Sequence, residues 1–180
     1  MSVQGSDTMI DTEGLQHAFD RTFAEAPRAD AAPQEDLLAI TISGDPYAMR
    51  LSEVGGLYSD KTITWLPGSV PELLGLVGLR GALLPAYDLR ALLGYSHADC
   101  PRWCVVAADA PIVLGFEQFD GHLRVSRGAI TSARAGHAVD RSRCVREVVH
   151  TDDLVRSLVH VPSVLEAIAV LVHHAARAKE

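Results

Sequence analysis

The chain has 180 residues, 48% of them hydrophobic and 22% charged, a composition that excludes a wholly disordered protein and predicts a packed core. Its formal net charge of −7 at pH 7 argues against nucleic acid as a partner, because binding to phosphates favours a basic surface. No segment reaches the roughly 18 consecutive apolar residues of a membrane span, and the acidic N-terminus lacks the basic-then-apolar order of a secretory signal. We therefore predict a cytoplasmic protein without direct membrane insertion.

Residues 1–36 are predicted to form an acidic N-terminal extension ahead of a folded domain at 37–180. The extension carries eight acidic and two basic side chains, a difference of −6. Leu15, Phe19 and Phe23 recur at the spacing of a short amphipathic helix, and residues 29–35 are typical of a linker. The apolar stripe of this helix either covers a surface of its own domain or binds a partner.

Beyond residue 36, short β-rich runs separated by turn residues predict sheets that close into small barrels. Gly44-Asp45-Pro46 and Asp120-Gly121 are typical of hairpin turns between such runs. The nine predicted strands are 37–42, 47–51, 76–79, 82–87, 103–107, 112–116, 123–125, 145–150 and 155–161.

Two helices are predicted within this pattern, one near residues 89–93, ended by Gly94, and a terminal one near residues 163–178. Ser163 is expected to cap the terminal helix. This helix has a single apolar stripe, formed by Val164, Ile168, Leu171 and Ala175. We therefore expect the helix to dock onto the barrels.

The most informative segment runs from residue 65 to residue 94. An apolar strand ends at Gly78-Leu79-Arg80-Gly81, and the returning strand contains Pro85, which favours an edge or a bulge. Asp88 opens the next helix, where its carboxylate can accept hydrogen bonds from free amides. Arg80 is left at the tip of the hairpin as the one charged residue of an otherwise apolar stretch.

This segment resembles the CheW-like coupling proteins of bacterial chemotaxis, whose hallmark is a strand ending in N-L-R-G, a proline-containing strand, and D-L-R opening a helix. The matching residues are Gly78-Leu79-Arg80-Gly81, Pro85 and Asp88-Leu89-Arg90. The resemblance extends back over residues 37–54 and, more weakly, forward over 112–119 and 144–168. It implies a mainly β fold of two small SH3-like β-barrels packed together, with a C-terminal helix and an N-terminal helical or flexible extension.

The resemblance also implies a function, that of a non-enzymatic signalling adaptor without a cofactor. Such proteins couple the cytoplasmic tips of methyl-accepting chemotaxis receptors to the regulatory domain of a CheA-type histidine kinase, in the cytoplasm at membrane-associated polar arrays. Arg80 is then the expected receptor contact, with Leu79, Gly81 and Val77 shaping the adjoining groove. The expected kinase contacts form an apolar barrel end and are Ile112, Leu114, Phe116 and Phe119.

Several positions depart from the family pattern. Gly78 replaces the usual Asn, Gly56 stands where an acidic residue is common, and Glu117 replaces an Asp. The first two departures suggest an alternative, a divergent scaffold that organises or localises a chemosensory, motility or pilus-control complex without receptor coupling. The segment 124–146 holds six arginines against Asp140, and we expect it to meet an acidic partner or the acidic extension.

Other site types find little support in the sequence. His97, Cys100 and Cys104 resemble part of a zinc site, but a structural site needs four ligands, so no metal is predicted. These two cysteines and Cys144 are expected to be free thiols. Because no G-x-S-x-G, H-E-x-x-H or phosphate-binding glycine motif is present, catalysis is not expected. A small-ligand-binding or hydrolytic β-barrel is the remaining alternative, and a large polar pocket would favour it.

Overall fold

The computed structural model describes residues 33–67, 70–96, 101–133, 143–151 and 154–177. They belong to a compact unit that begins at Pro33. The predicted helix at Leu15, Phe19 and Phe23 lies outside the described residues, as do His97 and Cys100.

Twelve strands and two α-helices make up the described part of the chain. In chain order they are β1 (Gln34–Ile42), β2 (Asp45–Arg50), β3 (Val54–Ser59), β4 (Ile63–Thr64), β5 (Leu73–Leu79), β6 (Ala82–Asp88), α1 (Leu89–Leu92), β7 (Trp103–Ala107), β8 (Val113–Phe116), β9 (Gln118–Ser126), β10 (Ile130–Ser132), β11 (Val145–His150), β12 (Val155–Val159) and α2 (Val161–Arg177). Sheet A has the spatial order β10-β11-β12-β2-β1-β9, and sheet B has the order β3-β7-β8-β6-β5-β4. Each sheet contains one parallel pair, β12 with β2 and β6 with β8.

Each sheet curls so that its two edge strands share one small core. In sheet B, Tyr58 of β3 and Ile63 of β4 both pack against Val77 and its buried neighbours. In sheet A, Leu123 of β9 and Ile130 of β10 both pack against the core of that sheet. This curvature confirms the predicted mainly β fold of two small barrels.

A third and larger core lies between the two sheets, and we call it the shared core. Because successive side chains of a strand point to opposite faces, a strand that is covered on both faces is apolar throughout. On β1, Leu38 and Ile40 enter the shared core, whereas Leu37 enters the core of sheet A. On β7, Val105 enters the shared core and Cys104 enters the core of sheet B. The terminal helix α2 covers this core, as expected from its apolar stripe, with Val164 and Ile168 buried.

Three short strands, β3, β4 and β10, were not predicted, and β1 begins inside the predicted linker. The predicted hairpin at Asp120-Gly121 is wrong, because β9 continues through both residues. Gly121, with φ +149°, lies at a bulge where the pairing with β1 shifts register. The extra residue of the bulge, Asp120, is free to turn its side chain toward other strands.

The start of α2 also differs from the prediction. The helix begins at Val161, and Ser163 lies in its first turn instead of capping it. The hydroxyl of Ser163 forms a 2.8 Å hydrogen bond with Nδ1 of His160. The carboxylate of Glu53 accepts a 2.8 Å hydrogen bond from the Val161 amide, and its negative charge suits the positive end of the helix.

A polar network around Asp120 ties four strands of sheet A together. The Asp120 carboxylate accepts hydrogen bonds from Arg156 at 2.8 Å and from Thr41 and Gln118 at 2.9 Å. Arg156 also donates to one backbone carbonyl on β1 and one on β2. Burial opposes the ionisation of Asp120, but these donors outweigh it and hold the pKa of the carboxyl below its usual range.

The lowered pKa of Asp120 predicts that part of the folding stability is lost in acid. A carboxyl whose folded-state pKa is below its unfolded value stabilises the fold above the unfolded pKa, and the stabilisation is lost as the pH falls through the folded pKa. Between about pH 5 and pH 2, the wild type should therefore lose more unfolding free energy than Asp120→Asn. Urea unfolding at a series of pH values measures both slopes, and equal slopes would contradict the assignment.

Gly75 provides a test of the close contact between β4 and β5. The residue has φ +140°, and a Cβ built on it would lie 2.1 Å from the carbonyl oxygen of Thr64. We expect Gly75→Ala to lower the free energy of unfolding by about 3 kcal/mol, because backbone strain and overpacking act together. Thermal and urea unfolding measure the loss.

Gly78→Ala is the matched control on the same strand. A Cβ at Gly78 meets no atom within 4 Å, and the residue has no positive φ. Since an exposed strand position gains from losing a glycine, this variant should be as stable as the wild type or slightly more stable. If both variants have the same free energy of unfolding, β4 does not pack as closely against Gly75 as the structure shows.

Candidate functional site

The predicted receptor contact lies on a tight turn between β5 and β6. Leu79 pairs with Ala82, so Arg80 and Gly81 form a two-residue loop. Both have positive φ, 48° and 80°, which is the pattern of a type I′ turn and matches the twist of the flanking strands. A non-glycine residue in this region is uncommon, so Arg80 is held there by the strands on either side.

The guanidinium of Arg80 lies over the ring of Tyr58, with 5.8 Å between Cζ and the ring centroid. Nζ of Lys61 lies 5.9 Å from the same centroid. A cation over a tyrosine face is attracted by the π electrons, although an exposed contact of this kind contributes only about 0.5–1 kcal/mol. The two contacts orient the cations without neutralising them, so the tip of the hairpin is an exposed positive patch.

The four predicted receptor residues differ in exposure. Arg80 and Gly81 are exposed at the turn, whereas Val77 and Leu79 are 1% and 5% exposed in the core of sheet B. Val77 and Leu79 therefore support the turn from below, and their side chains do not form its outer surface.

The two glycines that depart from the family pattern lie close to this patch. A Cβ at Gly56 would lie 3.0 Å from Cε2 and 3.1 Å from Oη of Tyr58. The tyrosine ring thus fills the space that an acidic side chain at position 56 would enter. Gly78 pairs with Leu83 across the hairpin and leaves open space above it.

Two large exposed apolar residues on or next to sheet B were not predicted as site residues, Leu83 close to the turn and Trp65 beside Gly75, farther along β5. Leu83 on β6 is 66% exposed, and Trp65, directly after β4, is 71% exposed. Their sequence context is apolar, so hydrophobicity alone does not distinguish them from core residues. Exposure of such side chains together with a cationic patch is typical of a protein-binding surface.

The structure corrects half of the predicted kinase surface. Leu114 and Phe116 are 0% and 1% exposed in the shared core, so their side chains cannot form an outer contact. All four residues of β8 are buried because the strand is covered on both faces. Ile112 and Phe119 are half-buried, and the Phe119 ring packs against that of Trp103 at 5.3 Å. These two residues remain a prediction for the kinase surface.

The Asp and Arg of the D-L-R motif bind other residues of the same domain. Asp88 accepts a 2.9 Å hydrogen bond from the backbone amide of Arg90, which caps α1. The Arg90 guanidinium pairs with Glu117, whose other oxygen accepts a 2.5 Å hydrogen bond from the Ser43 amide. Glu117 therefore links α1, next to sheet B, with the β1–β2 turn of sheet A.

The arginine-rich segment is described only in part, since Arg134 and Arg141 lie outside the described residues. Arg124 pairs with Asp36 at 3.2 Å, and Arg127 approaches Glu35 at 3.8 Å. Both acids are at the start of β1 and belong to the predicted acidic segment 1–36. All four side chains are at least partly exposed, so these pairs contribute little to stability.

Neither a metal-ligand cluster nor a reactive Cys104 thiolate is favoured among the described residues. Among them, no three His, Cys, Asp or Glu side chains are grouped as metal ligands. Burial raises the pKa of the Cys104 thiol, although Lys61 opposes this effect, so the reactive thiolate is disfavoured. None of the described helices has the length and apolar character to cross a membrane.

Comparison with known proteins identifies the family. The CheW-like domain model matches residues 36–169. The chain is 23% identical to the chemotaxis protein CheW of Bacillus subtilis over 142 residues, covering 77% of this chain and 91% of that protein. It is 34% identical to a probable chemotaxis protein CheW of Rhizobium etli over 64 residues, covering 36% and 41% respectively.

A solved structure shows the same fold. The crystal structure of the scaffolding protein TtCheW from Thermoanaerobacter tengcongensis superimposes with a TM-score of 0.64 at 16% identity, covering 71% of this chain and 90% of that chain. The domain model spans well over half of the sequence, which confirms the resemblance inferred from the hairpin motif. The chain therefore belongs to the CheW-like domain family, the non-enzymatic scaffold and adaptor proteins of chemotaxis.

Proposed function

We propose that this protein couples the cytoplasmic tips of methyl-accepting chemotaxis receptors to the regulatory domain of a CheA-type histidine kinase. Family membership supports the general role. The observation that carries the receptor assignment is the exposed guanidinium of Arg80, held on a two-residue turn over the ring of Tyr58. Such a complex would place the protein in the cytoplasm, at membrane-associated polar arrays.

The chemistry of the turn suits a helical partner that carries carboxylates. A guanidinium donates two parallel hydrogen bonds to one carboxylate, and it can also bind backbone carbonyls at a helix end. The buried side chains of Val77 and Leu79 hold the turn in place, so little conformational freedom is lost on binding. Leu83, which pairs with Gly78 two residues before Arg80, supplies exposed apolar area close to the charge.

The kinase contact belongs to a different part of the domain in this proposal. Ile112 and Phe119 are half-buried and lie at the edge of the shared core, where a partner could cover their remaining surface. An adaptor needs two surfaces that can be occupied together. Because Arg80 lies on the β5–β6 turn, the two proposed surfaces use different residues and different elements.

A second candidate function rests on Gly56. Residue 56 is a glycine, so the acidic side chain that is common in the family is absent beside the proposed receptor contact, and the Tyr58 ring occupies its space. A CheW-like scaffold that binds the kinase domain and organises or localises a chemosensory, motility or pilus-control complex, without receptor coupling, would have this feature. Binding of the kinase domain without binding of receptor tips would favour this function.

Arg80→Ala tests the receptor assignment. Loss of a charge-assisted hydrogen bond pair should weaken binding to receptor-tip fragments from the same genome by about tenfold or more. Affinity for the kinase regulatory domain should stay within about twofold of the wild type. Isothermal titration calorimetry measures both interactions separately, and circular dichroism checks that the variant is folded.

Lys61→Ala is the matched control, since Lys61 also carries a positive charge next to the Tyr58 ring. If the attraction is only a general electrostatic one, both variants should lose the same amount of affinity for the receptor-tip fragment. If the guanidinium makes a specific contact, Arg80→Ala should lose far more affinity than Lys61→Ala. Receptor binding that is unchanged in Arg80→Ala would refute the assignment.

A further inference from the structure

An open apolar groove lies beside the terminal helix α2. It has a volume of about 490 Å³, and Tyr87 and Ile112 line it together with residues of the helix. Four of these helix residues are apolar and recur at i, i+4, i+7 and i+11, and we call them the α2 stripe: Leu165, Ala169, Val172 and Ala176. Spacing that alternates between four and three residues is typical of a helix face that packs along a second helix.

The C-terminal half of α2 is more exposed than its composition favours. Within residues 169–177, only Leu171 and Ala175 are half-buried, and the other seven residues are exposed. Val170 and Val172 are 51% and 43% exposed. Because a helix that is apolar on most of its faces is normally buried, this half of α2 is a surface that another helix can cover.

The charged side chains of α2 lie along one flank of the stripe. Glu166, His173 and Arg177 each come directly after a stripe residue in the sequence, so each lies about 100° further around the helix. Glu166 is the one acidic residue of the helix and is near its N-terminal end, whereas His173 and Arg177 are near its C-terminal end. The flank is therefore complementary in charge to a copy of itself that runs in the opposite direction.

A two-fold axis perpendicular to two such helices satisfies the apolar and the charged residues together. It places the two stripes face to face in antiparallel direction and brings both charged flanks to the same side of the pair. If Ala169 packs opposite Val172 of the second copy, Glu166 lies level with the stretch between His173 and Arg177 of that copy. A parallel pair would place the flanks on opposite sides, and these charges would not meet.

We propose that a second copy of this chain docks its α2 in the groove, so that two copies pair through antiparallel α2 helices. Ala169 and Val172 form the centre of the contact, and the small alanine side chains let the helices approach to about 8 Å. Glu166 of each copy binds the basic end of the other helix at the rim. This contact does not depend on the proposed receptor and kinase contacts. Because Ile112 lines the groove and also belongs to the proposed kinase surface, a second copy and the kinase domain would compete for it.

Sedimentation equilibrium of the full-length protein alone, without receptor or kinase, tests the pairing. The contact covers about three helical turns per copy, less than a standard interface, so the dissociation constant should be on the order of 100 µM. Val172→Asp should raise this constant at least tenfold, because the pairing would bury an unpaired carboxylate. A protein that stays monomeric up to about 500 µM, or a dimer that Val172→Asp leaves intact, would overturn the proposal.

His174→Asp is the matched control for the introduced charge. His174 is exposed and lies two residues after Val172, on the face of α2 opposite the stripe. The dissociation constant of this variant should stay within about twofold of the wild-type value. Equal weakening by both substitutions would overturn the assignment of the stripe as the contact.

A charge exchange tests the antiparallel direction. At low salt, Glu166→Arg and Arg177→Glu should each weaken the dimer about fivefold, because like charges then face each other. The double variant Glu166→Arg/Arg177→Glu should regain the wild-type dissociation constant. The two residues are 11 positions apart on one helix and do not meet within a copy, so recovery can only come from contact between copies. A double variant as weak as the single ones would overturn the proposal.

Discussion

The shared core between the two sheets is the constraint on which the rest of the structure depends. Strands β1, β7 and β8 contribute one face to this core and the other to a small barrel core, so neither sheet can form its interior without the other. Each large side chain buried there contributes about 1.5–3 kcal/mol of apolar transfer free energy. Separation of the sheets would expose Leu38, Val105, Leu114 and Phe116 together. The domain is therefore expected to unfold cooperatively.

Polar contacts at the rim of this core fix how the two sheets are oriented. Glu117 joins Arg90 next to sheet B with the Ser43 amide of sheet A, and Glu53 joins the β2–β3 turn with the first residue of α2. Apolar packing alone is not directional, whereas a hydrogen bond weakens steeply when its distance or angle changes. These bonds therefore restrict movement of one sheet relative to the other. The D-L-R motif thus acts within the domain, and the Arg80 turn is the part of the hairpin motif that is exposed to solvent.

Particular residues show how far the sequence could predict this structure. The sequence predicts strands β7 and β11 with their observed bounds, because β7 is an apolar run and β11 is rich in β-branched valine. Strand β3 was missed because Gly55-Gly56 weakens the β signal. The alternation of side chains along β8 does not show that both faces of the strand are buried. The sequence therefore predicts Leu114 and Phe116 at a surface, whereas both lie in the shared core. The contact between Arg80 and Tyr58 depends on the curvature of sheet B, and short-range sequence patterns do not predict this curvature.

The central functional claim is that one rigid domain holds two partners at once. Sedimentation velocity of the full-length protein with a receptor-tip fragment and the kinase regulatory domain tests it most directly. We predict a ternary species that is heavier than either binary complex, because the shared core keeps the two surfaces apart and in fixed orientation. Competition between the two partners, with only binary complexes at saturating concentrations, would contradict the account.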